Sequence, residues 1–358
     1  KVTFSEEFCE KVRANRRLIE RFLDEGRIIY GVTTGFGENV RYTIKQEDAK
    51  TLQKNIVRSH SCAVGTPLTE EQARAVMFMT IINLGHGHSG IRLETLELIR
   101  DFLNNNLVPF APGEGSVGYL GVEAHLVMAY IGEGHVLKNG KKIPSLDAMA
   151  EKGLSPAELE CKEGLSMLNG TITVTALALL ASYDSIISMK NLEIAGALCF
   201  EALHGTTKAL DSRIHNNKQH EEQRASADNL LRLLEGSEIS EAYRDSKVQD
   251  AYVMRGMPHI HGAAFRLVKE AYEVIINEMH SVSDNPEIFE TEDGRGEALM
   301  CGNFDGSFVG THADMISMAA AIAGNQAERS IDRMVNRNLN DGLPAFLVAN
   351  PGLNNGFM

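Results

Sequence analysis

The chain has no tryptophan, and aromatic residues make up only 6% of its 358 positions. Nine prolines are too few to break a long series of helices, and Ala, Leu, Ile, Met and Glu dominate, a mixture that predicts a mainly α protein. Basic residues are outnumbered: 35 Lys and Arg face 48 Asp and Glu, a net charge of -13. That balance excludes a nucleic-acid-binding role, which needs a basic face. The five cysteines (Cys9, Cys62, Cys161, Cys199, Cys301) are odd in number, widely spaced and without a C-x-x-C pair. They argue against a disulfide framework or zinc site and for reduced thiols in the cytoplasm. Lys1 to Arg21 is charged and amphipathic, unlike a signal peptide. The longest apolar stretch, Ile172 to Met189, is interrupted by Thr173, Thr175, Ser182, Asp184 and Ser185, so a buried helix rather than a membrane span is expected.

Hydrophobic periodicity predicts helices over residues 5–25 with Ser5 as N-cap, 46–58, 69–84, 93–104, from about 120, 172–203, 219–234, 261–280 and 312–334. Thr69 and Gln72 form a capping box, and Lys-Asn-Gly-Lys-Lys at 138–142 has hairpin-turn chemistry. Between these elements lie Gly-rich loops at 28–37, 85–90 and 109–118, and turns at Asp284-Asn285-Pro286 and 293–296. Loops held by a rigid scaffold are where binding and catalytic groups concentrate. The organisation expected is a loop-rich catalytic region over residues 1–165 and a long-helix bundle over 166–358. The histidine pairs His86/His88 and His259/His261 stand two residues apart, which on a helix points them in different directions, so no metal site is expected.

Several short motifs follow one another in a specific order. They are Tyr30-Gly31-Val32-Thr33-Thr34-Gly35-Phe36-Gly37, Arg58-Ser59-His60, Gly115-Ser116-Val117-Gly118, Glu163-Gly164-Leu165 leading to Asn169-Gly170-Thr171, and Val248-Gln249-Asp250-Ala251-Tyr252 with Arg255 and Pro258. Ser281 to Pro286, Gly302-Asn303-Phe304 and Gly352 to Met358 complete the set. Each is weak by itself. Together they resemble the aromatic amino acid ammonia-lyases, above all the histidine ammonia-lyases, over essentially the whole chain.

The resemblance implies an ammonia-lyase/fumarase-like long-helix fold, a homotetramer with sites built from more than one subunit, and elimination of an amine across Cα–Cβ to give an unsaturated acid. It implies Tyr30 as the base that takes the β-proton. A phenol titrates near pKa ~10 and must be acidified to serve, with Arg255 a candidate neighbour. Arg255 would grip the substrate carboxylate as a bidentate fork, Asn169 would share that task and contact the leaving nitrogen, and Gln249 and Tyr252 would line the same wall. Phe304 would pack against the reacting centre, and His60 would face the ring of an imidazole-bearing substrate. The departures from the family are Thr33 for an Asn, Ile172 for a Gln, Gly256 for a Cys and Asp305 for a His. The family also continues beyond the position of Met358, and one acidic residue of the histidine enzymes' site lies in that part.

The main departure follows Gly118. The family carries there an Ala-Ser-Gly triad that cyclises into a methylidene-imidazolone electrophile, then Asp-Leu-Ala-Pro-Leu-Ala-His. Here Gly118 is followed at once by Tyr119-Leu120-Gly121-Val122-Glu123-Ala124-His125. If the triad is hidden, Gly118 and Tyr119 flank the cofactor, and the enzyme is a methylidene-imidazolone-dependent histidine ammonia-lyase. If it is lost, which the changed flank favours, no cofactor is needed. The leaving group is then one that departs without an electrophile, such as trimethylamine from the betaine ergothioneine, as in the cofactor-free relative ergothionase. A third reading is an inactive relative with a binding role. The partner expected is a small amino acid or betaine, with no nucleic acid and no membrane.

Overall fold

In a computed structural model, described for residues 1–116, 118 and 120–358, the chain is mainly α, and Cα packing divides it into two compact units. The first comprises Lys1–Leu180 with Ile275–Gly310, the second Ala181–Val274 with Thr311–Met358. This division differs from the contiguous halves 1–165 and 166–358. The chain returns at residue 275 to lay Glu287–Phe289 beside the N-terminal helix, through contacts no local pattern encodes.

The first unit is built on α1 (Glu6–Asp24), α2 (Ala49–His60), α3 (Glu70–Gly85), α4 (Leu93–Asn104), α5 (Gly121–Tyr130), α6 (Ser145–Glu151), α7 (Glu163–Leu168) and the start of α8 (Ile172–Ala202). Ser5 accepts the Phe8 N–H as N-cap of α1, and the capping box at Thr69 and Gln72 is formed in both directions. Three small antiparallel sheets trim this unit. They pair β1 (Val64–Pro67) with β3 (Pro112–Glu114), order β2 (Val108–Pro109), β4 (His135–Lys138) and β5 (Lys141–Pro144) as β2-β4-β5, and pair β6 (Glu287–Phe289) with β7 (Glu297–Leu299). The expected hairpin is β4–β5: Asn139 and Gly140 both take positive φ (51° and 74°), the backbone a two-residue primed turn demands. The core gathers Val76, Leu84, Leu96, Ile99, Phe102, Leu126, Tyr130, Leu165 and Leu168 from α3, α4, α5 and α7.

The second unit holds the rest of α8 and α9 (Ser212–Asn216), α10 (Glu221–Leu233), α11 (Glu238–Tyr243), α12 (Tyr252–Arg255), most of α13 (Met257–Met279) and of α14 (Ser307–Val335). Its apolar clusters centre on Phe200, Leu210, Leu230 and Met254, and on Met189, Ala264, Val268 and Ala319. α13 begins four residues before the expected 261. Pro258 sits in its first turn, where a missing N–H costs nothing because that group has no intrahelical partner. The segment Glu163–Ala202 is apolar and long enough to cross a membrane by composition alone, yet 72% of its most apolar window is buried in the protein, as in a core helix.

Candidate active site

The Tyr30 loop is shaped by its glycines and threonines. Gly31 has φ +66°, and a Cβ there would stand 2.4 Å from Leu165 Cδ2, so only glycine lets the loop close on α7. The Thr33 hydroxyl accepts the Ile29 N–H (2.8 Å) and donates to the Arg27 carbonyl (2.9 Å), and Thr34 Oγ1 accepts the Gly31 N–H (3.2 Å). Within this frame the Tyr30 phenol oxygen accepts the Gly37 N–H at 2.9 Å, and its ring meets Phe36 edge to face.

Gln53, fully buried on α2, joins this loop to the next element. Its amide donates to the Gly31 carbonyl and its oxygen accepts the Leu165 N–H, both at 3.0 Å. α2 also ends in His60, whose Nδ1 lies 2.9 Å from the Ile56 carbonyl and 3.0 Å from Ser59 Oγ. A carbonyl can only accept, so Nδ1 carries a proton, and in that tautomer of a neutral imidazole Nε2 is the acceptor.

α7 ends at Asn169, followed by Gly170 at φ +98°, where a Cβ would fall 2.3 Å from Ser283 Oγ. The Asn169 Nδ2 donates to Asp284 Oδ1 and to the Asn285 carbonyl, each at 3.2 Å. Asp284 and Lys162 form an ion pair at 2.5 Å with both side chains fully buried, and Lys162 Nζ also donates to Ser166 Oγ at 3.0 Å. Glu163 is equally buried but spoken for, accepting from Thr95, Arg92 and the Glu160 N–H, so it supports the scaffold.

α5 starts beside these groups. The Leu120 N–H donates to the Leu168 carbonyl (3.2 Å), the Leu120 carbonyl accepts the Ala124 N–H, and Leu120 takes φ 75°. Glu123 in the first turn of α5 is 1% exposed and accepts the Thr173 N–H at 3.1 Å, at the start of α8, leaving Oε2 without a partner among the described residues. Burial pushes its carboxyl up to about 7.

The first unit thus holds Tyr30, His60, Gly118, Asn169 and Phe304, the last half-buried in the turn before α14. Tyr119 lies outside the described residues. The second unit holds Gln249, Tyr252 and Arg255, all exposed, with the Arg255 guanidinium 5.7 Å above the Tyr252 ring and Asp250 buried between them in sequence. Sequence reasoning missed Gln53, Glu123, Lys162 and Asp284. Asp284 falls in the Ser281 to Pro286 motif and in a turn, neither of which gives it a role, and no local pattern marks a lone Gln or Lys as buried.

The model of the aromatic amino acid lyase family matches residues 1–358. The chain belongs to that family. It is 40% identical over 360 aligned positions to a histidine ammonia-lyase of Alkaliphilus oremlandii, covering all of this chain and 70% of that relative. Among solved structures it superposes on a tyrosine aminomutase of Streptomyces globisporus with a TM-score of 0.94 at 34% identity, covering 99% of this chain and 71% of the other. It also superposes on the ergothioneine-degrading ergothionase of Treponema denticola with a TM-score of 0.90 at 25% identity, covering 100% and 71%. The long-helix fold is therefore that of the family's lyases and aminomutases, and the chain is an ammonia-lyase-family enzyme.

Family members carry a methylidene-imidazolone made from Ala-Ser-Gly. The residues present here do not fit it. No Ala-Ser-Gly occurs in the chain, and only Tyr119 and Leu120 stand between Gly118 and α5. Leu120 is already held by its bonds to Leu168 and Ala124.

Proposed function

We propose that this lyase eliminates the α-nitrogen of a histidine-type substrate to give a urocanate-like acid. His60 carries the reading: with Nδ1 committed to the Ile56 carbonyl, its Nε2 is an acceptor suited to an imidazole N–H. In this mechanism Arg255 grips the carboxylate and Tyr30, as the base, removes a proton from Cβ. The C–H electrons form the Cα=Cβ bond, and the C–N pair departs with the nitrogen. Gln249, Tyr252 and Phe304 line the substrate, and Asn169 faces the nitrogen. In the homotetramer that family membership suggests, Arg255, Tyr252 and Gln249 need not come from the same copy as Tyr30. Five unpaired cysteines suit a cytoplasmic setting.

Two readings of the nitrogen each rest on one observation. The two-residue connection from Gly118 to α5 favours a nitrogen that leaves as a neutral amine without an electrophile, as trimethylamine would from ergothioneine. The 40% identity to a histidine ammonia-lyase over the whole chain favours histidine itself, with ammonia as product. The test is incubation with L-histidine and with ergothioneine, following the conjugated acrylate in the ultraviolet. An intact mass accompanies it, to show whether there is room for three further residues less two waters. Product from ergothioneine alone, at the triad-free mass, supports the first reading, and product from histidine supports the second. No product from either overturns the proposal and leaves a binding role.

A further inference from the structure

The side-chain amide of Asn169 is turned one way by its surroundings. Its Nδ2 lies 3.2 Å from two oxygens, Asp284 Oδ1 and the Asn285 carbonyl. Rotating the amide by half a turn would set Oδ1 against a carboxylate and a carbonyl, neither of which can donate. Asp284 is already committed as an acceptor at both oxygens. Its Oδ2 takes the ammonium at 2.5 Å, and its Oδ1 also accepts the Asn285 N–H at 2.7 Å. Lys162 is anchored in turn: Nζ donates to Ser166 Oγ, and that hydroxyl donates to the Ser89 carbonyl at 2.9 Å. Lys162 and Asp284 are both fully buried, so the pair is not a screened surface contact, and either charge left alone there would be costly. The lysine backbone adds to the constraint, holding φ 70° immediately before α7.

The Asn169 Nδ2 therefore has two protein acceptors, and Oδ1 has no partner among the described residues. An oxygen that can only accept does not bind a carboxylate. It suits a cationic nitrogen, through N–H donors on an ammonium or through its dipole on a methylated one. We propose that the buried Lys162–Asp284 pair is a positioning device that fixes the Asn169 amide with its oxygen toward the substrate, making Asn169 the acceptor for the departing nitrogen and leaving the carboxylate to Arg255. The inference rests on the function proposed above for what fills the site, while the orientation of the amide rests on this chain alone.

The experiment compares the wild type with Asn169→Ala and with the double variant Lys162→Gln/Asp284→Asn, which removes both charges and so strands neither. Single Asp284→Asn would leave a buried lysine unpaired and fail to fold. Binding is measured by calorimetry for L-histidine, ergothioneine and 3-(imidazol-4-yl)propionate, which keeps the ring and carboxylate but lacks the nitrogen. The expected result is a loss of about 10-fold or more in affinity for whichever nitrogen-bearing compound the wild type binds, with the propionate unchanged within about 2-fold. An equal loss for the propionate would assign Asn169 to the carboxylate and overturn the inference. Hydrogen exchange of the Asn169 side-chain amide, read by nitrogen-15 labelling, tests the orientation without any ligand. Slow exchange in the wild type that becomes fast in the double variant supports the positioning role, and exchange indifferent to the pair overturns it. A wild type that binds none of the three compounds refutes the proposed substrate, and the exchange measurement still decides the amide.

Discussion

Gln53 donates to the Gly31 carbonyl at 3.0 Å, and through the other end of the same amide it holds the Leu165 N–H at the same distance. One buried side chain thus ties the Tyr30 loop to α7, the helix that Asn169 caps. Gln53→Leu fills similar space but leaves a buried C=O and a buried N–H unpaired. The expected loss is roughly 2–5 kcal/mol of stability, seen as a lower denaturant midpoint with unchanged slope. A midpoint equal to the wild type would show that water or another group replaces the amide.

Tyr30→Phe removes only a hydroxyl whose one hydrogen bond among the described residues is from an exposed backbone N–H, that of Gly37. Stability should change by less than about 1 kcal/mol, while kcat falls by ~10²–10⁴ if the phenol is the base. Retention of full turnover on the active substrate would remove Tyr30 from that role.

His60→Phe keeps an aromatic ring at the end of α2 but deletes the Nε2 acceptor. A single neutral hydrogen bond to the substrate ring predicts a loss of about 3- to 10-fold in kcat/KM for imidazole substrates, carried mainly by KM. A fall in kcat alone with KM unmoved would place His60 in the chemical step instead.

Glu123 ties stability to pH. Burial raises its carboxyl from 4.5 to about 7, so between those values the folded protein holds a proton that the unfolded chain releases. The unfolded state then binds fewer protons, and stability falls as pH rises from about 4.5 to about 7. Below that window both states are protonated and the contribution is flat. Glu123→Gln keeps an acceptor for the Thr173 N–H and removes the titration. It should erase this part of the slope and add at most roughly 3 kcal/mol above pH 7. Parallel slopes in urea melts of the two proteins across pH 4–8 would contradict the shift.

Much of the fold was legible because its signals are local. The Ser5 N-cap, the Thr69–Gln72 capping box and the positive-φ Asn139–Gly140 turn each depend on residues within a few positions of one another. Short motifs likewise mark Tyr30, His60 and Asn169, and the gap after Gly118 can be read directly from the chain. The return of residues 275–310 to the first unit was not legible, since it is set by packing between distant segments.

The amino-acid sequence by itself determined the mainly helical architecture, the family and the run of Gly118 straight into Tyr119-Leu120, because periodicity, motif order and covalent connectivity are properties of the chain alone. Only the tertiary structure decided which way Asn169 faces and that Lys162 is a buried partner rather than a surface charge. Lys162 and Asp284 lie 122 residues apart. A charge on that lysine is tolerable only where folding has brought the carboxylate to it, and a buried amide takes its orientation from whichever oxygens the fold sets beside it.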